Sequence, residues 1–314
     1  LPVGAAGVTV LNTENACASG SSALEICMAY VRAGMARVAV AVGVERPSDL
    51  GSSVPLPAWD RLAGVGITHP VRYALEAEKY CAEFGVDRAA LAGVTVKNRA
   101  HAARNPAARF QSPVSAEEVL AAAVVATPTT RLMCCANADG AAAAVVTTPD
   151  VAAGIGADPV RIRALESGSG NRVDRPAAVS MTERLAARAF DAAGVTAGDI
   201  DVAEIYDAFV ILEIRNAERL GFAKPGTAAL RIADGDFTLG AGLGPVLNPG
   251  GGLLGRGHPL GATGLAQVAE IVDQLRHRAG GRQVDDCQLG LVQTMGGNVR
   301  ELESNAGVVM VLSR

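Results

Sequence analysis

Apolar runs of strand length alternate along this chain with segments in which apolar residues recur at helical spacing. Val38–Val44 is a nearly continuous apolar run, which is typical of a central strand buried on both faces. From Gly20 to Gly34 the apolar side chains fall on one helical face, and the second glycine provides a C-terminal stop. This alternation predicts an α/β fold, in which Gly7–Leu11 is expected to form a further short buried strand.

The character of the sequence changes after Glu45. Residues 46–66 are rich in Pro, Ser and Gly, and mixed-charge helices are expected near Val71–Phe84 and Asp87–Ala103. We expect an inserted lobe over residues 46–131, a first half made of residues 1–45 and 132–155, and a second half over residues 156–314. The elements expected in that second half are strands at Val160–Ala164, Val202–Ile205, Leu289–Gln293 and Gly307–Leu312 and helices at Met181–Ala193, Phe209–Leu220 and Ala262–His277.

Composition excludes several classes of protein. The 314 residues are 49% hydrophobic, which is enough for a sizeable core and too much for a disordered chain. The 28 basic residues are outnumbered by 32 acidic ones and form no run, so no nucleic-acid partner is expected. No segment predicts a secretory signal or a membrane helix. Six scattered cysteines without a Cys-x-x-Cys pair favour neither disulfides nor a metal site, so we expect a cytoplasmic protein.

Two small-residue turns each place a reactive side chain just before an apolar helix, in the manner of a weak internal repeat. Cys17 precedes the first such helix, where the helix dipole and free N–H groups are expected to lower the pKa of its thiol. His258 precedes the second, where an imidazole could activate a thiol. The alternatives are an inert buried cysteine and a histidine that only ties its loop.

Two strand ends carry further candidates. Tyr206 and Asp207 follow the strand at Val202–Ile205, where ligands of α/β sheets gather. The Tyr206 hydroxyl could donate to a carbonyl group, while Asp207 is expected to cap the following helix. Another strand runs into the turn at Gly296 and Gly297, whose N–H groups could complete an anion site, although an ordinary turn is an equal alternative.

Taken together, these segments resemble the thiolase superfamily, and in particular the branch of the sterol carrier protein thiolase. The resemblance covers nearly the whole chain, and the long glycine–histidine motif is its most specific part. The matching segments are Asn15-Ala-Cys17-Ala-Ser-Gly-Ser, Asp139-Gly-Ala-Ala-Ala, Glu204-Ile-Tyr-Asp-Ala-Phe and Asn248-Pro-Gly-Gly-Gly-Leu-Leu-Gly-Arg-Gly-His258-Pro-Leu-Gly-Ala-Thr-Gly.

The resemblance implies a five-layer αβαβα fold of two similar halves, in which the inserted lobe covers a coenzyme A site. It implies a homodimer, with a small OB-fold/zinc-ribbon protein as a further partner, and acyl-coenzyme A substrates from lipid or aromatic degradation without a permanent cofactor. Cys17 would carry the acyl group and His258 would activate it. The N–H groups of Cys17 and of the turn at Gly296 and Gly297 would hold the thioester oxyanion. The residues expected to contact the substrate are Asn248, Gly257 and Asp207.

The sequence departs from the family pattern in three ways. Cys17 lies almost at the start of the chain, so we expect that part of the natural first half is missing here. The acid/base cysteine of the family is absent from Gln293-Thr-Met-Gly-Gly, and the position used by the sterol carrier protein branch is Ala208. Tyr206 stands where the family uses Asn or His to polarise the substrate carbonyl.

Three functional hypotheses follow. The leading one is a thiolase-like acyltransferase that cleaves or forms a β-oxoacyl-coenzyme A through an acyl–Cys17 intermediate, with Tyr206 or a water held by His258 returning the proton. The second is a retro-aldolase that acts on an acyl-coenzyme A with Tyr206 as acid/base. The third is a non-catalytic subunit of a hetero-oligomer. The sequence does not define the acyl chain or the direction of the reaction.

Overall fold

Helices and strands alternate throughout the computed structural model, which describes residues 7–50, 64–170, 179–297 and 304–314. The mixed α/β class predicted from the sequence is confirmed. The strands are β1 Val38–Glu45, β2 Val124–Ala126, β3 Thr129–Thr130, β4 Gly140–Thr147, β5 Arg161–Gly168, β6 Val202–Ile205, β7 Val246–Leu247, β8 Leu289–Gly296 and β9 Ala306–Ser313. The helices are α1 Ser19–Arg32, α2 His69–Phe84, α3 Ala92–Ala102, α4 Ala116–Ala121, α5 Pro149–Gly154, α6 Met181–Ala193, α7 Val210–Arg219, α8 Ala228–Ala233, α9 Gly252–Arg256 and α10 Thr263–Leu275. Within the ranges described, no helix is both long and apolar enough to cross a bilayer.

The larger sheet has five strands in the order β5-β9-β8-β6-β7. Strand β6 runs parallel to β7 and β8, whereas β9 runs antiparallel to β5 and β8. Almost every residue of β6, β8 and β9 is buried. Tyr206, which follows the carboxyl end of β6, therefore lies in the interior of the protein, beside the end of β8.

A smaller antiparallel pair, β1 with β4, lies on the other side of two helices. Helix α1 packs on β1 and β4, and α10 contacts β4 as well as β8 and β6 of the larger sheet. Apolar side chains from both sheets and both helices form one buried cluster around Leu24, Leu265 and Val292. The outward face of β1 carries exposed valines, which are Val38, Val40, Val42 and Val44.

The predicted strand at Gly7–Leu11 is wrong. The backbone there is irregular, and the exposed fractions of Val8, Val10 and Leu11 are 60%, 57% and 53%. A short apolar run becomes a strand only when a neighbour pairs with it, and no strand in the described part of the chain does so.

The two turns singled out in the sequence have the same local structure. A single 3-10 turn, Ala16–Ala18, leads into α1, and another, Leu260–Ala262, leads into α10. The helix starts cross closely: a Cβ atom on Gly20 would lie 2.8 Å from the carbonyl oxygen of Gly261, and one on Gly264 would lie 2.8 Å from the backbone nitrogen of Ser21. Because only residues without a Cβ fit at this crossing, the two turns can lie side by side.

Candidate active site

The Cys17 turn is held by hydrogen bonds to the start of α1. The backbone N–H of Asn15 donates to the Ser19 hydroxyl over 2.8 Å, and that hydroxyl donates to the carbonyl of Ala16 over 2.7 Å. The Asn15 side-chain amide donates to the Ser22 hydroxyl over 2.8 Å. These small polar residues fix the backbone on both sides of the thiol.

His258 faces the thiol directly. Its Nε2 atom lies 3.2 Å from Cys17 Sγ, and its Nδ1 atom lies 2.8 Å from the hydroxyl of Thr263. That hydroxyl donates to the carbonyl of Pro259 over 2.9 Å, so it accepts a hydrogen bond from Nδ1–H. The network therefore assigns the proton to Nδ1 and leaves the Nε2 lone pair toward the sulfur.

Burial keeps this pair uncharged. It raises the pKa of the Cys17 thiol to about 11, against a smaller lowering effect of the Tyr206 hydrogen bond. It lowers the pKa of His258 to about 3, and the positive charge of Arg256 adds to that effect. The predicted lowering of the Cys17 pKa is wrong, because the loss of water around a thiolate outweighs the field of the helix terminus.

Tyr206 completes the group around the thiol. Its hydroxyl lies 3.3 Å from His258 Nε2 and hydrogen-bonds the Cys17 side chain. Its backbone is fixed by the Gln293 side chain, which accepts from the N–H over 3.0 Å, and by Asn216, which donates to the carbonyl over 3.0 Å. Burial and then the Cys17 charge raise the pKa of Tyr206 well above its ordinary value, so its hydroxyl stays a donor.

The glycine turn after β8 lies against the Cys17 turn. A Cβ atom on Gly296 would lie 2.9 Å from the backbone nitrogen of Cys17 and still closer to the carbonyl of Asn15. Gly297 has a φ of 66°, and a Cβ there would overlap the Asn305 side chain. The backbones of Cys17 and Gly296 are thus in direct contact, as an oxyanion site built from both would require.

Asp207 caps a different helix from the one predicted. Its carboxylate accepts from the N–H groups of Leu253 and Leu254 over 2.7 and 3.2 Å, at the start of α9. The following helix, α7, begins after Phe209 without a side-chain cap. The glycine-rich loop folds back over the end of β6, so the carboxylate meets the N-terminus of α9 instead. Burial and then the Glu213 charge raise the pKa of Asp207 to about 7.

Asn248 and Gly257 shape the loop that ends at His258. The Asn248 side chain accepts from the N–H of Ile205 and donates to Glu213, both over 2.8 Å, and its φ is 54°. Gly257 has a φ of 97°, and a Cβ there would lie 2.8 Å from that of Ala138. Both residues order the loop, and their contact with a substrate, like that of Asp207, stays a prediction.

Sequence reasoning missed a row of polar residues, in α3 and just after its end, that binds the same loop. Lys97 donates to the carbonyl of Leu247 over 2.8 Å, and Asn105 donates to that of Gly250 over 2.9 Å. Between them, His101 Nδ1 lies 3.0 Å from the carbonyl oxygen of Asn248. His101 is 1% exposed. The spacing of four residues between Lys97 and His101 was the available signal, since such residues share one helical face.

Glu213 of α7 ties this row to the strand end. Its Oε1 pairs with Lys97 Nζ over 2.9 Å, and its Oε2 accepts from Asn98 over 2.6 Å. Asn98 also donates to Asp207 over 2.8 Å. All four side chains are buried, so α3, α7, the end of β6 and the glycine-rich loop form one polar network behind Tyr206 and His258.

A short segment before β4 joins the two sides of the site. The N–H of Cys135 donates to the carbonyl of Ala208 over 2.8 Å, and the N–H of His258 donates to the carbonyl of Ala136 over 2.9 Å. In the part of the chain that the structure describes, no group of three or more His, Cys, Asp or Glu residues is arranged to hold a metal ion.

Comparison with known proteins identifies the family of this chain. Residues 167–314 match the family described as thiolase C-terminal domain-like. The acetyl-CoA acetyltransferase of Methanothermobacter thermautotrophicus is 38% identical over 305 residues, which cover 93% of this chain and 79% of that protein. The chain belongs to the thiolase superfamily.

Other relatives of this thiolase-superfamily protein cover the same span. The benzoylsuccinyl-CoA thiolase subunit BbsB of Thauera aromatica is 34% identical over 299 residues, covering 93% of this chain and 77% of that one. Human sterol carrier protein 2 is 32% identical over 318 residues, covering 94% and 57% respectively. The solved Ltp2-ChsH2(DUF35) aldolase superposes with a TM-score of 0.79 at 25% identity, covering 94% of this chain and 78% of that one.

Proposed function

We propose that this protein is an acyltransferase that cleaves or forms a β-oxoacyl-coenzyme A through an acyl–Cys17 intermediate. The observation that carries the proposal is the 3.2 Å contact between Cys17 Sγ and His258 Nε2. Because the hydrogen bond to Thr263 leaves Nε2 unprotonated, this nitrogen can take the thiol proton.

The reaction in the cleavage direction needs four events. His258 Nε2 accepts the proton of Cys17, and the sulfur attacks the β-carbonyl carbon of the substrate. The N–H groups of Cys17 and of the Gly296 turn hold the resulting oxyanion. The bond between the α- and β-carbons then breaks, and a proton from Tyr206 reaches the α-carbon of the departing acyl-coenzyme A. A second coenzyme A thiol gives a proton back to the site and takes the acyl group from Cys17.

The wider organisation is proposed on the same basis. The five-layer fold of two similar halves fits the repeated turn, helix and strand that follow Cys17 and His258. The lobe over residues 46–131, inserted between residues 1–45 and 132–155 and ahead of 156–314, would cover coenzyme A, the one small molecule required besides the acyl donor. A homodimer in the cytoplasm is proposed from the family resemblance alone. A small OB-fold/zinc-ribbon partner is proposed because one relative is named a subunit and one neighbour contains a DUF35 protein.

One observation favours a second candidate. Tyr206 contacts His258 and Cys17 at the position where the thiolase pattern has Asn or His, and the solved neighbour is named an aldolase. A retro-aldolase would use the Tyr206 hydroxyl as acid/base and would form no bond to Cys17. A non-catalytic subunit is the third candidate, since BbsB is named a subunit.

Turnover of Cys17→Ala and Tyr206→Phe separates these candidates. With a panel of β-oxoacyl- and β-hydroxyacyl-coenzyme A substrates, we expect the turnover rate of Cys17→Ala to fall by a factor of about 10³ or more. No other group can replace a covalent nucleophile. Cys27→Ala is the matched control, since Cys27 lies in α1 and packs against the apolar cluster around Leu24. A retro-aldolase would instead lose activity in Tyr206→Phe and keep it in Cys17→Ala. If the wild-type protein is inactive on every substrate, both alone and with its partner, the non-catalytic subunit is the candidate that remains.

A further inference from the structure

Glu204 of β6 closes the glycine-rich loop that leads to His258. Its side chain is buried, and its two carboxylate oxygens contact opposite ends of the loop. Oε1 accepts from the N–H of Gly250 over 3.0 Å, ahead of α9, and Oε2 lies 3.1 Å from Nη1 of Arg256, the last residue of α9. One carboxylate therefore fixes the separation of the two loop ends.

The two charged residues stand at equivalent places beside the candidate active site. Tyr206 follows Glu204 by two residues, and His258 follows Arg256 by two residues. The Tyr206 hydroxyl and His258 Nε2 are 3.3 Å apart, and the same nitrogen lies 3.2 Å from Cys17 Sγ. The ion pair thus joins the strand end to the loop end just ahead of the residues whose side chains meet.

The sequence of the loop makes such a contact necessary. Gly252, the first residue of α9, and Gly257, the residue after it, have φ values of 56° and 97°, and glycine has little conformational preference of its own. Asp207 holds the N-terminus of α9, whereas Arg256 holds its C-terminus. The path of the chain from α9 to His258 therefore depends on where Arg256 is held.

The ion pair is poorly explained as a source of stability. A buried pair loses about as much in hydration as it gains in attraction. Glu204 Oε2 and Arg256 Nη2 also make no hydrogen bond in the described part of the chain, so one contact between the charges joins them. In contrast, Arg282, with a side chain 11% exposed against 12% for Arg256, contacts the Glu270 carboxylate through both Nε and Nη2, over 3.1 and 3.0 Å. The geometry that the Glu204 pair fixes explains it better.

The two residues act as a unit, and their effect on His258 goes beyond charge. Burial raises the pKa of the Glu204 carboxyl, and the Arg256 guanidinium opposes that rise. Burial is also the main reason that the pKa of His258 falls to about 3, and the positive charge of Arg256 adds to it. The imidazole would therefore stay neutral near pH 7 without Arg256, so a loss of activity at that pH reports on its position.

We propose that Glu204 and Arg256 are positioning residues, whose ion pair holds the loop closed so that His258 Nε2 stays in contact with Cys17 and Tyr206. The proposal rests on the proposed function in that acylation of Cys17 measures the quality of this contact. The closure of the loop itself does not depend on which reaction the site performs.

The decisive variant neutralises both charges. In Glu204→Gln/Arg256→Met, which we call the pair-neutral variant, the amide oxygen can still accept from Gly250 and no unpaired charge is left inside, so we expect a melting temperature within about 3 °C of wild type. With an acyl-coenzyme A thioester and no acceptor, we expect the saturating rate constant for acylation of Cys17 to fall about 30-fold, and the half-saturating concentration to stay within about threefold. That split indicates displaced reacting groups rather than weaker substrate binding.

Two further variants serve as controls. Arg256→Lys keeps a cation that can make the single contact with Glu204, so we expect acylation within about threefold of wild type. Glu270→Gln/Arg282→Met neutralises another buried pair, which joins α10 to the turn after it, and should acylate as wild type does. Wild-type acylation in the pair-neutral variant, an equal loss in the control pair, or an Arg256→Lys variant as slow as the pair-neutral one would each overturn the positioning role.

A second measurement decides the matter if the wild-type protein acylates nothing. The Nδ1–H of His258 donates to Thr263, so ¹⁵N-labelled histidine gives a proton signal from the imidazole itself, identified among four histidines by its loss in His258→Gln. We expect this proton to exchange with water about tenfold faster in the pair-neutral variant, because a loop released at one end opens more often. A wild-type protein without acylation would overturn the proposed function, whereas an unchanged exchange rate would overturn the positioning role.

Discussion

At the scale of single residues, the main feature is that Cys17 and His258, the proposed nucleophile and base, are both uncharged. The burial that raises the pKa of Cys17 to about 11 also lowers that of His258 to about 3. A thiolate–imidazolium pair is therefore unfavourable in this site, and the proton is expected to move only as the sulfur attacks. We expect such a thiol to react slowly with electrophiles at neutral pH, because little of it is present as the thiolate.

The alkylation of Cys17 by iodoacetamide tests this resting state. Because the thiolate is the reactive form, we expect the rate constant to rise about tenfold per pH unit from pH 7 to 9.5, without a plateau. Mass spectrometry of the Cys17 peptide follows the rate separately from that of the other cysteines, and Cys17→Ala gives the background. A plateau reached below pH 7 would show a thiolate–imidazolium pair and contradict the neutral one.

Local sequence was sufficient to select Cys17, His258 and Tyr206 as candidates, since each lies at a turn or strand end that its neighbours define. It gave the wrong direction for the pKa of Cys17, because burial is set by residues far away along the chain.

At the scale of elements, helix α3 is the part that organises the histidine loop. Lys97 and His101 of α3, and Asn105 just after it, contact backbone carbonyls between Leu247 and Gly250, and Asn98 links Asp207 with Glu213. The glycines give that loop little conformational preference of its own. Helix α3 therefore contributes to the position of His258 through the backbone of this loop.

The buried ion pair of Lys97 and Glu213 can be tested by a double-mutant cycle. Lys97→Met leaves the Glu213 charge without a partner, so we expect the free energy of unfolding to fall by about 3–5 kcal/mol. In Lys97→Met/Glu213→Gln the amide oxygen can still accept from Asn98 and Asn248, as Oε2 does. Denaturant unfolding should therefore show a coupling of about 2 kcal/mol or more between the two sites, whereas additive losses would contradict a paired charge.

Helices and strands were predicted well where the apolar pattern and its flanking residues are clear. Helix Met181–Ala193 and strand Val202–Ile205 have the predicted limits, and β8 continues three residues beyond the expected Gln293. Gly7–Leu11 failed because a strand needs a partner that composition does not reveal. Asp207 was expected to cap the next helix in sequence, but the fold brings another helix closer.

At the scale of the whole molecule, the site depends on two turns that are far apart in the sequence. Cys17 and His258 are separated by 241 residues. They meet because α1 and α10 lie together between two sheets and cross where Gly20 and Gly264 allow close contact. No local pattern predicts that meeting. The expectation that the two turns lie together rested on family resemblance. Membership of the thiolase superfamily is now shown by relatives that match over more than nine-tenths of the chain.

The most direct test of the central claim is the mass of the protein after incubation with acyl-coenzyme A thioesters and no acceptor. We predict an increment equal to the acyl group, located on the Cys17 peptide, absent from Cys17→Ala and formed much more slowly in His258→Ala. Turnover without any increment, or an increment located on another cysteine such as Cys135, would contradict the assignment of Cys17 as the nucleophile.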